Sequence, residues 1–175
     1  MKKIKFLFLV LGLIFALSSV GFAQAQTVSL ASLDGGSVSL QSQKGKVVVL
    51  AVGATWLPLS KQQALIINKL TKKYAGRDVM IYFVATDSTS AKSKNFASAE
   101  QIRAFAAKNR IGVSVLRDSD GLITLKKFQI DQLPSFVLID KDGKIATEPF
   151  GGMTTDAESE NDFTVQISRR IDKLL

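Results

Sequence analysis

The sequence predicts an α/β fold: a central mixed β-sheet flanked by helices, preceded by an N-terminal β-hairpin. Three observations predict it. Val47-Val48-Val49-Leu50-Ala51-Val52 is an unbroken, valine-rich apolar run, which suits a strand covered on both faces of a parallel or mixed sheet. An amphipathic segment from Lys61 to Tyr74 separates it from a second such run, Val79 to Ala85, and strand, helix and strand in that order make a βαβ crossover. Upstream, Val28, Leu30 and Leu33 alternate with polar residues, and Asp34-Gly35-Gly36 divides them from Val38 and Leu40; alternation around a Gly-Gly turn reads as a small hairpin or a pair of edge strands.

The first helix is expected to be capped by Ser60 or its neighbour. Ala64, Leu65, Ile66, Ile67, Leu70 and Tyr74 form its apolar face, and Lys61, Gln62, Asn68, Lys69, Lys72 and Lys73 the polar one. Ala75-Gly76-Arg77-Asp78 places a glycine at the usual stop position. The serine-rich stretch Ser88 to Ser98 reads as a mobile surface loop. A second helix starts at Ser98-Ala99-Glu100-Gln101 and runs through Ile102, Phe105 and Ala106 to Asn109. A short strand over 113–116 follows, then a turn over 117–121, and a helix from Leu122 to Phe128 with Leu122, Leu125 and Phe128 on one face. Leu133 to Asp140 is the last strand, and Phe163 to Leu175 the last helix.

Residues 1–25 have the parts of a secretory signal: Lys2, Lys3 and Lys5, an apolar core from Phe6 to Leu17, and a small-residue cleavage site at Ala23-Gln24-Ala25. That core falls short of the ~20 apolar residues of a membrane span. The expected division is therefore a signal peptide over 1–25 and one domain over 26–175, free in the periplasm or outside the cell. The sequence has no cysteine, so it offers no lipoprotein acylation site, and no stable membrane anchor is expected after cleavage. Of the formal charge of +8, the three leader lysines supply three, leaving about +5 on the remainder. The lysines are scattered along the chain without a basic and aromatic stripe, so nucleic acid is not expected as a partner.

Ala54-Thr55-Trp56-x-Pro58-x-x-Lys61, at the end of the valine-rich strand, resembles the active-site segment of thioredoxin-like proteins of the TlpA/ResA type, within the redoxin (AhpC/TSA) superfamily. Leu116-Arg117-Asp118-x-Asp120-Gly121, then Phe128-x-Ile130, then Leu133-Pro134-Ser135-Phe136-x-Leu138-Ile139-Asp140-x-Asp142-Gly143-Lys144-Ile145 is similar to the corresponding run of that family. The resemblance covers roughly Ser29 to Leu175 and implies a thioredoxin-like fold, with an N-terminal hairpin ahead of the active-site strand and a cis-proline at Pro134 facing the active-site turn. It also implies secreted thiol–disulfide oxidoreductases as relatives. The two cysteines of the family's Trp-Cys-x-x-Cys motif fall on Leu57 and Ser60. The position five residues before the tryptophan, where thioredoxins proper carry a buried acid and the TlpA type often an asparagine, is Ala51.

Thiol–disulfide exchange needs a thiolate attacking sulfur, and neither leucine nor serine supplies one. No histidine is present to activate Ser60. The adjacent Lys61 would have to be desolvated to act as its base, and neighbours on a helix point apart. Without cysteine or histidine, the usual zinc, copper and haem ligands are missing, and no cofactor is expected. Asp156, Glu158, Glu160 and Asp162 alternate in a manner that calcium would accept, without the spacing of an EF-hand; the plainer reading is an exposed loop whose last acids favour the dipole of the final helix.

The expected role is a redox-inactive, thioredoxin-like envelope protein that uses the former active-site groove as a non-covalent binding or accessory module. The resemblance places Trp56, Leu57, Pro58, Leu59 and Ser60, with Leu133 and Pro134, along that groove. An envelope protein or peptide is the expected partner. Two alternatives remain at this point: a redox or antioxidant role retained only through a partner, and a purely structural subunit. Leu57 and Leu59 either line an open groove or fold inward as filler.

Overall fold

A computed structural model describes residues 28–175; the expected signal segment lies outside the described residues. The hairpin forms from β1 (Ser29–Ser32) and β2 (Ser37–Ser39), which pair antiparallel around the Asp34-Gly35-Gly36 turn. The central strand β3 (Val47–Gly53) is buried along its whole length. It pairs parallel with β4 (Val79–Ala85) across the helix α1 (Ser60–Lys73), and β4 pairs parallel with β5 (Val115–Arg117) across α2 (Ala99–Lys108). The short helix α3 (Thr124–Lys127) leads to β6 (Ser135–Ile139), antiparallel to β3, and α4 (Ala157–Leu174) closes the chain. The sheet among the described residues runs β2-β1-β5-β4-β3-β6.

Strand alternation sorts the core into two layers. Val47, Val49 and Ala51 face Ile66, Ile67 and Leu70 of α1, Ile102 of α2, and Ile167 and Ile171 of α4. Val48, Leu50 and Val52 face the other way, toward Leu30, Leu40, Phe128 and Ile130. The run of valines is thus covered on both faces. Gly76, at φ 75°, accepts the left-handed backbone that turns the chain from α1 into β4.

The structure revises several element boundaries. The last two strands are shorter than read: β5 begins at Val115 and β6 at Ser135. Ser98 caps α2, accepting a hydrogen bond from Gln101 N while Gln101 Oε1 accepts one from Ser98 N, a reciprocal pair that fixes the helix start. The serine-rich loop ahead of it is closed at its neck by backbone bonds between Ser88 and both Asn95 and Ala97. Leu122 does not share a buried face with Leu125 and Phe128; it is 75% exposed. The buried Asp118 carboxylate accepts bonds from Ile123 N and Thr124 N, so the helix starts two residues later than read and Leu122 is left in the turn before it. Helix α4 starts at Ala157, with Asp156 at its N-cap position. The segment expected to be a loop therefore forms the first turns of that helix.

Candidate functional site

Strands β3, β4 and β5 run the same way, and β6 runs against them. The turns after Gly53, Ala85 and Arg117 and the segment entering Ser135 consequently meet at one end of the sheet. Residues far apart in sequence meet there for topological reasons, as in other open α/β sheets.

The turn from Ala54 to Leu59 winds directly into α1. Leu57 N donates to Ala54 O, Ser60 N to Leu57 O, and Gln63 N to Leu59 O. The cap expected at Ser60 or its neighbour falls on the neighbour, and Ser60 itself is the first residue of the helix. The residue in cap position is Leu59, whose side chain makes no capping hydrogen bond. The Ser60 hydroxyl instead points inward, fully buried and without a hydrogen-bond partner among the described residues.

Two groups hold the turn from below. Asp87, fully buried just past β4, accepts hydrogen bonds from Thr55 N at 3.0 and 3.1 Å and from Thr55 Oγ1 at 2.6 Å. A carboxylate taken out of water needs charge-assisted bonds of this kind. Gln63, also fully buried, donates from Nε2 to Val52 O at 3.1 Å and to Ser135 O at 3.0 Å. Both partners are carbonyls, which fixes which end of the amide is nitrogen. The amide thereby clasps α1 to the end of β3 and the start of β6. Its Oε1 has no partner and lies where a side chain on Gly53 would go: a methyl there would sit 2.3 Å from it and 3.1 Å from Ser60 Oγ.

The Leu133–Pro134 peptide bond is cis. Pro134 is buried and Leu133 half-buried, and pairing of Ser135 with Val52 brings this segment beside the turn. Within the turn, Trp56 is 49% exposed and Pro58 exposed, while Leu57 and Leu59 are half-buried. The two leucines are therefore neither wholly filler nor wholly surface. Ala51 lies in the helical-side core opposite Phe83 and Phe136. No polar group stands at that position to serve a thiol.

Sequence reasoning missed Gln63, Asp87 and Gly53. Gln63 was legible in one respect: it falls three residues after Ser60 on the same helical stripe as Ile67 and Leu70, and a polar residue on an apolar stripe signals a buried bond. Asp87, the first acid after a buried strand that opens onto a βα turn, carried a weaker signal. Gly53 carried none, because only the position of Gln63 Oε1 explains it.

The chain as a whole is similar to known proteins in sequence and in fold. Residues 23–148 match the AhpC/TSA family. The chain belongs to that family. Among AhpC/TSA-related sequences, the thioredoxin-like protein YneN of Bacillus subtilis is 34% identical over 131 residues, covering 75% of this chain and 72% of YneN. The thiol-disulfide oxidoreductase ResA of Bacillus thuringiensis is 28% identical over 176 residues, covering 91% and 96%. Among solved structures, a putative thiol:disulfide interchange protein DsbE from Chlorobium tepidum superposes with a TM-score of 0.66 at 22% identity, covering 84% of this chain and 94% of that one. A secreted disulfide oxidoreductase of Mycobacterium tuberculosis superposes with a TM-score of 0.64 at 20% identity, covering 84% and 98%. The fold is thioredoxin-like. This AhpC/TSA chain differs from a thiol–disulfide oxidoreductase in one chemical respect that decides the rest: it has no thiol at any position of its sequence.

Proposed function

We propose that the chain is an exported, redox-inactive thioredoxin-like protein that holds a partner polypeptide non-covalently at the turn where its relatives carry out disulfide chemistry. The signal-like features of residues 1–25, a basic start, an apolar core and a small-residue cleavage site, and the secreted M. tuberculosis neighbour support the export half of this reading. The observation that carries the binding half is the exposure of Trp56 beside Pro58 on a turn held in place by Asp87 and Gln63. A large aromatic left half in solvent on a rigid support is the kind of residue that anchors an interface, and a preorganised turn loses little entropy on binding. Leu122 and Ile123, 75% and 41% exposed in the β5–α3 connection, extend the apolar surface at the same end of the sheet.

Trp56 is the one tryptophan in the sequence, so its fluorescence reports on this turn alone. Titration of envelope peptides is expected to shift that emission. Trp56→Ala is expected to weaken binding, followed by calorimetry, by about 2 kcal/mol, roughly thirty-fold, and Leu57→Asp to weaken it likewise. Affinities unchanged in both variants would transfer the role to another face and favour a purely structural subunit.

A further inference from the structure

A second surface lies at the opposite end of the sheet. Helices α1 and α2 both start at the turn end and run away from it, so their C-terminal halves converge far from Trp56. Between them is an open groove of about 630 Å³ lined by Leu65, Lys69, Lys72, Lys108, Arg110 and neighbouring polar residues, with no carboxylate among its described lining residues. Three lysines far apart or unremarkable in sequence, Lys69, Lys72 and Lys108, are brought together here by the fold. We propose that this groove docks the protein, reversibly and peripherally, on an anionic phospholipid surface.

Part of the positive charge answers the two helix C-termini, each equivalent to about half a negative charge. Lys72, Lys108 and Arg110 make no ion pair among the described residues, so after that compensation a surplus of about two positive charges remains. Leu65 stands among these cations and is 48% exposed. A cationic rim around an exposed aliphatic side chain suits an interface whose headgroups are anionic and whose next layer is apolar. The lining has no aromatic ring on which bases could stack. Arg110 adds an independent observation. It closes α2 at φ 56°, in the left-handed conformation that glycine adopts without strain. A residue that breaks the local rule is expected where its side chain has a use. Docking by this end leaves Trp56 facing away from the membrane.

The test is co-sedimentation of protein recovered from the envelope of producing cells with vesicles of phosphatidylglycerol and phosphatidylcholine in equal parts. Wild type is expected to bind these at low salt, to leave them at high salt, and to ignore pure phosphatidylcholine. Each cation is worth about five-fold. Arg110→Gly should therefore lose about five-fold while the fold is kept, because it relieves the strained turn, and K72E with K108E should lose at least about twenty-five-fold with an unchanged melting temperature. Equal binding by wild type and variants, or equal binding to pure phosphatidylcholine, would overturn the assignment.

Discussion

Gly53 and Gln63 are coupled sterically, because Gln63 Oε1 occupies the space that a side chain on Gly53 would need. The Gln63 amide cannot swing aside to admit a methyl on Gly53, because its nitrogen is committed to Val52 O and Ser135 O. Gly53→Ala must therefore break that clasp or distort the strand. It is expected to cost about 1–3 kcal/mol in urea denaturation. Gln63→Ala removes both bonds and should cost a similar amount. The double variant relieves the clash, so its loss is expected to fall short of the sum by at least about 1 kcal/mol. Simple additivity would mean that the two residues do not act through one another. The Gln63 side chain also keeps the Leu133–Pro134 segment beside the turn, so variants at this position should loosen the candidate groove without touching an exposed residue.

At the scale of elements, a hydrogen-bonded cluster at the end of α1 ties the two longest helices together beside their shared apolar core. Tyr74, just past α1, is buried, and its hydroxyl hydrogen is shared between Ser168 O at 3.0 Å and Asp172 Oδ1 at 2.9 Å on α4. Lys73 and Arg77 flank the same carboxylate at 3.2 and 3.8 Å. The Tyr74 hydroxyl, and after it Lys73, hold the Asp172 carboxyl below its ordinary range. A carboxyl whose pKa is depressed by folding stabilises the fold above the unfolded value of about 3.9 and loses that contribution as pH falls through the lower folded value. Tyr74→Phe is expected to cost about 1 kcal/mol at neutral pH and to flatten the acid limb of the stability profile, read by denaturation across that range. An acid limb as steep as in the parent would assign the pH dependence elsewhere. The helices themselves were legible in sequence, since Ile66, Ile67 and Leu70 repeat at helical spacing. The N-terminus of α1 was legible only to within one residue: a serine ahead of an amphipathic segment suggests a cap, but here its hydroxyl is buried and the cap position falls on Leu59. The start of α4 was missed for a related reason, because acids clustered ahead of a helix read equally well as its dipole-favouring flank or as its first turns.

For the molecule as a whole, the parallel pairing of β3 with β4 was legible because two buried apolar runs around an amphipathic helix make a crossover, whereas the order of all six strands was not read from the sequence. Proximity between α1 and α2 was not legible either, and the basic groove became visible only in three dimensions. The same distinction governs what has been lost at the turn. The backbone there needs no sulfur to keep its shape: it rests on Asp87, Gln63 and the packing of Ala51, and residues 57 and 60 are the positions on which the resemblance places the two cysteines of the Trp-Cys-x-x-Cys motif. Leu57→Cys with Ser60→Cys is therefore expected to restore chemistry to an intact scaffold. Position 57 is half-buried and so within reach of a substrate, while position 60 is buried as a resolving thiol would be. The nearby N-terminus of α1 should lower the pKa of the thiol at 57 below the ~8.5 of a free cysteine, measured by the pH dependence of alkylation. The oxidised variant should carry one disulfide and, with dithiothreitol, reduce insulin where the parent chain adds nothing to the reagent. A folded double variant that forms the disulfide but turns over no substrate would show that the apolar surroundings of Ala51 and the uncharged Gln63 had been fitted to binding and no longer support electron transfer.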